Sequence, residues 1–234
     1  MSSSRQFRNY SARSTRIMDT VAPPPWDLTG SGYIFLYKFP REFVLSQGFV
    51  PLEWENRFIG GFGAVMIVDY YTSDVGPYRE LLFIPGLFQH PFGKRYSITK
   101  IYVSSIESVV NGQENWGIPK ELADFHFSNR LNGEERVIVK RDGQVFFDAT
   151  LKSSGLRLPV NSRLIPLNLS LGQEYGERSY VTRPHASGWV GLGGFKQVQV
   201  DERYFPNISA QRPLLAARAV DFKMTFPVPQ IHTK

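Results

Sequence analysis

The sequence predicts a mainly β chain, folded as one antiparallel barrel or sandwich with a few short helices. Three observations carry this prediction. Runs of β-branched and aromatic residues recur along the chain of 234 residues. Turn pairs such as Asp142-Gly143 separate neighbouring runs at hairpin distance. The sequence contains neither a heptad pattern nor a repeat of fixed period, which argues against coiled coils and solenoids.

The individual elements follow in order. Residues 40–48, which begin with proline and end with glycine, are typical of a short helix. Residues 122–151 predict a three-stranded antiparallel meander with turns at Asn132-Gly133 and Asp142-Gly143. The remaining predicted strands are 32–39, 61–73, 78–86, 96–112, 195–200 and 219–226.

Composition limits the classes of protein that fit. Hydrophobic residues make up 42% of the chain and charged residues 21%, which is typical of a globular domain. The absence of cysteine excludes disulfides, thiolate zinc sites and a cysteine nucleophile. The four histidines are scattered without ligand spacing, so we predict no metal site. No apolar run approaches the roughly 18 residues of a membrane span.

The N-terminal segment differs from the rest of the chain. Residues 1–20 hold four arginines against one aspartate, a surplus of +3 out of the net charge of +6. The remaining charge forms no basic cluster, so no nucleic-acid partner is predicted. We expect a disordered tail over 1–22 and a single domain over 23–234. A cytoplasmic location is expected, although the Ser- and Arg-rich tail is also typical of a mitochondrial transit peptide.

The stretch "NWGIPKELADF", residues 115–125, places Lys120 in an apolar setting. A lysine at the start of a β-run can face a barrel interior, where desolvation lowers the pKa of its amine. The neutral amine can then attack a ketone and form a Schiff base. On composition alone, an exposed or ion-paired lysine is the alternative.

The wider segment "NGQENWGIPKELADF" resembles the signature of the acetoacetate decarboxylase superfamily. In that signature a G-R-E element precedes G-x-P-K, and the lysine forms the Schiff base. Gly112 and Glu114 match the first element, with Gln113 where arginine is usual, and Lys120 matches the nucleophile.

Two upstream segments extend this resemblance. "GPYRELLFIPG" resembles the family's Y-x-E segment and places Glu80 at its active-site glutamate. "YIFLYKF" resembles the family's first strand, with Lys38 where an arginine is expected. A cation there would hold a substrate carboxylate, without the two-pronged geometry of guanidinium.

The resemblance implies an antiparallel β-barrel of the acetoacetate decarboxylase-like type that works without a cofactor, on a ketone or keto acid, as a homo-oligomer. It assigns Lys120 as nucleophile, Glu80 to proton transfer and Glu114 to orientation. The implied substrate-binding residues are Lys38, Gln113, Trp116 and Tyr78.

Three functions stay open at this point. The first is decarboxylation of a keto acid or polyketide-like ketone through a Lys120 iminium. The second is aldol condensation, dehydration or cyclisation through the same iminium. The third is a non-catalytic barrel that binds an apolar ligand, which the 14% aromatic content would suit.

Glu121 stands where the family has a second lysine directly after the nucleophile. A carboxylate beside Lys120 would favour the ammonium form and oppose attack on a ketone. Because neighbouring residues on a strand point to opposite faces, we expect Glu121 to point away from the Lys120 amine.

Overall fold

The computed structural model describes residues 21–129, 133–165 and 168–233. Two α-helices and sixteen strands make up this part of the chain. The helices are α1 (Arg41–Gln47) and α2 (Ile106–Trp116). The strands are β1 (Trp26–Tyr37), β2 (Phe58–Gly60), β3 (Gly63–Thr72), β4 (Tyr78–Ile84), β5 (Leu87–His90), β6 (Gly93–Tyr96), β7 (Lys100–Val103), β8 (Lys120–Leu122), β9 (Asp124–Asn129), β10 (Glu135–Arg141), β11 (Gln144–Asn161), β12 (Leu171–Tyr175), β13 (Arg178–Thr182), β14 (His185–Val200), β15 (Leu215–Phe226) and β16 (Gln230–Thr233).

The larger sheet has ten strands in the order β8-β7-β4-β3-β1-β15-β14-β11-β10-β9. Its pairs are antiparallel except for the short parallel pair of β7 and β8. Side chains from strands far apart in this order, such as Leu81 on β4 and Phe147 on β11, belong to one buried cluster. The sheet therefore curls around that cluster, which confirms the predicted mainly β, barrel-like fold.

The inner cluster is built by strand alternation. On β4, Leu81 and Phe83 point into it and are fully buried. The alternate residues Tyr78, Glu80 and Leu82 point to the outer face of the sheet. They are buried as well, because other parts of the chain cover that face.

A second apolar cluster lies on this outer face. Helix α2 and residues of β1, β3, β4 and β7 contribute to it, among them Trp26, Val68 and Trp116. A six-stranded sheet in the order β16-β13-β12-β6-β5-β2 forms a further layer. The barrel thus has an enclosed core and a separate buried layer between its outer face and α2.

The prediction of a strand over 96–112 is wrong beyond residue 103. After β7 the chain forms α2, whose N-cap Ser105 accepts a hydrogen bond from the backbone N–H of Ser108 at 3.1 Å. Gly117 ends the helix in the left-handed conformation, with φ of 64°. The β-branched residues of this segment favoured a strand, but the capping residues at both ends determine the helix.

The other predicted elements are confirmed where the structure describes them. The helix over 40–48 is α1, and the predicted strands 195–200 and 219–226 lie within β14 and β15. The meander is β9-β10-β11, and its Asp142-Gly143 turn has φ of 52° and 80°, as a type I′ turn requires. Asn132 of the other predicted turn lies outside the described residues.

The tail prediction concerns residues that mostly lie outside the described part, so the division at residue 22 stays a prediction. Ala22 itself is held against α2, since its N–H donates to Asn111 Oδ1 at 2.8 Å and its carbonyl accepts from Asn115 Nδ2 at 2.7 Å. No helix in the described ranges is long and apolar enough to cross a membrane.

Candidate active site

Lys120 is the first residue of β8, at the edge of the ten-stranded sheet beside Ile101 of β7. The end of α2 holds it in place. The Ile118 N–H donates to the Gly112 carbonyl at 3.2 Å, and the Gln113 side-chain amide donates to the Lys120 carbonyl at 2.9 Å. These bonds fix the backbone of Lys120 relative to the helix, and its side chain enters the layer beneath α2.

The Lys120 amine is buried among polar groups that it can reach. The residue is 5% exposed. Its Nζ lies 3.0 Å from Ser108 Oγ, 3.4 Å from Glu80 Oε2 and 3.5 Å from Tyr78 OH. Helix α2 supplies the serine, and β4 supplies the other two side chains. The amine therefore has partners in both of its protonation states.

Glu80 is the carboxyl group of this cluster. It lies opposite Val68 in the β3–β4 register and is 4% exposed. Tyr70 of β3 donates to Glu80 Oε1 at 3.5 Å. The Tyr70 ring also packs against that of its cross-strand partner Tyr78, with ring centroids 4.7 Å apart and the ring planes tilted by 40°. Two strands thus present a carboxyl group and two phenols to the amine.

Burial shifts the ionisation of the whole cluster. Desolvation lowers the pKa of Lys120, and the negative charge of Glu80 only partly opposes this. Desolvation raises the pKa of Glu80, partly opposed by Lys120 and by the Tyr70 hydrogen bond. Burial also raises the pKa of Tyr70 and Tyr78 well above the usual value, so both stay protonated. The pair of opposite charges is thereby brought closer to a neutral amine and a neutral carboxylic acid.

Aromatic rings enclose the rest of the amine's surroundings. The Lys120 Nζ lies 5.0 Å from the Tyr78 ring centroid and 6.0 Å from that of Trp26. Trp116 packs edge-on against Trp26 at 4.9 Å, and its indole N–H donates to the Pro227 carbonyl at 2.8 Å. Trp116 therefore supports the Trp26 ring, and its role in substrate binding stays a prediction.

Glu121 points away from the Lys120 amine, as predicted. Its carboxylate accepts hydrogen bonds from Lys100 Nζ at 2.5 Å and from Arg141. The three side chains form an ion-pair cluster on the opposite side of β8. The carboxylate that replaces the family's second lysine is thus neutralised outside the site.

The structure does not bring three of the expected residues to the amine. Lys38 is exposed and follows the end of β1, four residues beyond Ile34, which lies in the same cross-strand row as Lys120. Glu114 is exposed and lies two residues from Gly112, about 200° around the helix, so it faces away from the amine. Gln113 uses its amide on the Lys120 backbone. Lys38 and Glu114 thus do not lie at the amine, and Gln113 contacts the Lys120 backbone, while the roles expected for all three stay predictions.

Three residues at the site, Ser108, Tyr70 and Trp26, were not identified from the sequence. Ser108 lies four residues before Gly112 on the same face of α2, a spacing that the strand interpretation of this segment concealed. Tyr70 lies opposite Tyr78. Trp26 precedes the predicted start of the first strand, which begins at Trp26 rather than at residue 32.

Comparison of the sequence with known proteins identifies a family. The family model for acetoacetate decarboxylase matches residues 43–165, more than half of the chain. The match includes Glu80 and Lys120 but excludes Lys38. No match was found among curated proteins.

Solved structures show the same fold. Acetoacetate decarboxylase from Legionella pneumophila subsp. pneumophila str. Philadelphia 1 has a TM-score of 0.66 at 14% identity, over 92% of this chain and 89% of that chain. An acetoacetate decarboxylase-like enzyme from Sphingomonas wittichii RW1 has a TM-score of 0.65 at 10% identity, over 92% and 95%.

The enduracididine biosynthesis enzyme MppR, in complex with the condensation product of pyruvate and imidazole 4-carboxaldehyde, has a TM-score of 0.60 at 14% identity, over 92% and 91%. At sequence identities this low, the structural similarity establishes a shared fold, and the match to the family model establishes membership of the family. The chain belongs to the acetoacetate decarboxylase family.

Proposed function

We propose that this protein is a lyase that forms a Schiff base between Lys120 and a small ketone or keto acid. The observation that carries the proposal is the buried amine of Lys120, whose pKa burial lowers and which lies 3.4 Å from Glu80. A neutral amine is the form that attacks a carbonyl carbon. A carboxyl group at hydrogen-bond distance is the partner that proton transfer needs.

The reaction would begin with attack of the Lys120 Nζ on the substrate carbonyl. Glu80, as a carboxylic acid, supplies the proton with which the carbinolamine loses water, leaving an iminium beside a carboxylate. The iminium then accepts the electron pair of a bond to the α-carbon. Loss of CO₂ from a β-keto acid, or loss of an aldehyde from a β-hydroxy ketone, gives the same enamine. Protonation of the enamine and hydrolysis by water return the amine.

Hydrogen-bond donors and acceptors around the amine would assist these steps. Ser108 Oγ accepts from the attacking amine at 3.0 Å and orients its lone pair. Tyr78, protonated at all working pH values, donates to the carbinolamine oxygen. The relative MppR is described in complex with pyruvate, which supports a carbonyl substrate for this chain.

The test is trapping of the imine. The protein is incubated with a panel of ketones and keto acids, reduced with borohydride and digested, and the adduct is located by mass spectrometry. We expect an adduct on Lys120 and none in Lys120→Met. Absence of a Lys120 adduct across the panel would contradict the mechanism and favour an apolar-ligand-binding barrel.

We also propose a homo-oligomer. Residues 152–161 of β11 extend past the strand β10, and all of them are exposed. Leu156 and Leu158 are 78% and 64% exposed on one face of this extension. A strand with an open edge and an apolar face is suited to packing against a second copy. Sedimentation should give a mass above the 26.7 kDa monomer, and Leu156→Glu with Leu158→Glu should lower it.

A further inference from the structure

The charge balance of the candidate site bears on the kind of substrate it accepts. Among the described residues, Glu80 is the carboxyl group within ion-pair distance of Lys120, with Oε2 3.4 Å from the Nζ, and Lys120 is the cation within that distance of Glu80. The described site therefore contains one potential cation and one potential anion. A substrate carboxylate bound there would have no cation of its own.

The neighbouring basic side chains are committed elsewhere. Arg79, next to Glu80 on β4, points to the other face of the sheet, where it contacts Asp69 and the ring of Phe127. Lys100 and Arg141 are bound to the carboxylate on the opposite side of β8. None of these cations faces the amine.

The part of β1 nearest the amine is apolar. The Trp26 ring lies 6.0 Å from the Lys120 Nζ and is buried, and Leu28 on the same face of β1 belongs to the same buried apolar cluster. Lys38, the cation expected on this strand, lies beyond its far end. The described walls around Lys120 are thus aromatic and aliphatic, with polar groups only at the amine itself.

The charge balance changes when an imine forms. The iminium carries one positive charge, which the Glu80 carboxylate neutralises. A carboxylate on the substrate would add a second anion beside Glu80 in a buried setting, where like charges repel strongly. An uncharged substrate leaves the balance intact.

We propose that the site selects uncharged ketones and that the bond it breaks or forms is the carbon–carbon bond of a β-hydroxy ketone. This inference rests on the proposed function. Lys120 and the ketone carbon form a C=N bond, and the carbonyl oxygen leaves as water with the proton that Glu80 supplies.

The β-hydroxyl proton then passes to the Glu80 carboxylate as the bond between the α- and β-carbons breaks. Its electron pair moves to the iminium nitrogen, and an aldehyde or second ketone departs. Glu80 returns the proton to the α-carbon of the enamine, and water hydrolyses the iminium. The sum is one β-hydroxy ketone converted to two carbonyl compounds, with no oxidant or reductant consumed.

The first experiment uses two compounds with the same ketone, one with a carboxylate and one with that carboxylate capped as a methyl ester. 4-Oxopentanoate and its methyl ester are trapped separately with borohydride, and the Lys120 adduct of each is quantified by mass spectrometry. We expect the uncharged ester to be trapped at least about tenfold faster. Equal trapping, or faster trapping of the carboxylate, would overturn the inference while leaving the Schiff base intact. No adduct with either ketone would overturn the proposed function and this inference with it.

The second experiment tests Glu80 as the source of the selectivity. In Glu80→Gln the repelling charge is gone, so the ratio of ester to carboxylate trapping should fall toward one. A purely catalytic or structural role would slow both reactions without changing their ratio. Glu114→Gln, which removes an exposed carboxylate from the far face of α2, is the matched control and should keep the ratio of the unaltered protein. An unchanged ratio in Glu80→Gln would count against the inference.

The third experiment follows turnover. Diacetone alcohol, an uncharged β-hydroxy ketone, and acetoacetate both yield acetone, so one assay measures both reactions. We expect acetone from diacetone alcohol at a rate at least about tenfold above that from acetoacetate after subtraction of the uncatalysed rates. Faster release from acetoacetate would identify a decarboxylase and refute the carbon–carbon lyase.

Discussion

Gly112 of α2 lies against the aliphatic stem of Lys120. A Cβ at this glycine would come within 2.5 Å of Lys120 Cδ and 2.8 Å of Lys120 Cε, closer than packed atoms approach. Because Gly112 has no side chain, it leaves the room that the Lys120 side chain needs to reach Ser108 and Glu80.

Gly112→Ala should separate activity from stability. The added methyl group displaces the Lys120 stem and draws the amine from its partners, so we expect imine trapping to fall by about 100-fold, the scale of a misplaced catalytic group. Alanine is the better helix former by roughly 0.5–1 kcal/mol, which offsets part of the overlap in the free energy of unfolding.

The control for this variant is Gly194→Ala on β14, since the nearest atom to a Cβ there is Lys152 Cε at 3.8 Å, an ordinary packing distance. It should leave both trapping and unfolding by urea unchanged. Normal trapping in Gly112→Ala would show that Lys120 does not need this gap.

Ser105 caps the N-terminus of α2, the helix that carries Ser108 and Gly112. Loss of the bond from Ser108 N–H to Ser105 Oγ in Ser105→Ala should lower the free energy of unfolding by about 1 kcal/mol. Ser105→Asp keeps an acceptor at the N-cap and should restore most of that loss. The measurement is urea unfolding of the three proteins, and equal stability of all three would contradict the capping role.

The sequence could predict that Lys120 and Glu80 belong to one site, where their side chains lie 3.4 Å apart, because both lie in short motifs whose residue types are specific. It could not place Lys38, whose position depends on the direction of β1 in the sheet. It could not place Glu114 either, because the β-branched residues of its segment predicted a strand where the chain forms a helix. The register of β3 against β4, which brings Tyr70 to Glu80, is set by long-range packing and has no local signal.

The pH dependence of trapping should report the burial of Lys120. Desolvation lowers the pKa of the amine from 10.5, so the neutral form appears at lower pH than for an exposed lysine. The trapping rate should therefore rise with pH as the amine loses its proton, with an inflection below 10.5, and fall again where Glu80 loses the proton that the dehydration step needs. Because the Glu80 charge raises the pKa of Lys120, Glu80→Gln should move this inflection to lower pH. An inflection at or above 10.5 would indicate an exposed amine.

The last prediction asks whether the buried pair serves the fold or the chemistry. Lys120→Met keeps the apolar stem but leaves Glu80, which is 4% exposed, without its partner. Adding Glu80→Gln removes that uncompensated charge. If the pair exists for chemistry, both variants lose all trapping. The double variant then melts at or above the temperature of the unaltered protein, because the attraction within a buried ion pair does little more than offset the cost of desolvating it. The single variant should melt lower than the double. Lys196→Met, which removes an exposed lysine paired with Glu134 at 2.6 Å, is the control and should change neither quantity. A double variant destabilised by about 3–5 kcal/mol would instead assign the pair a structural role.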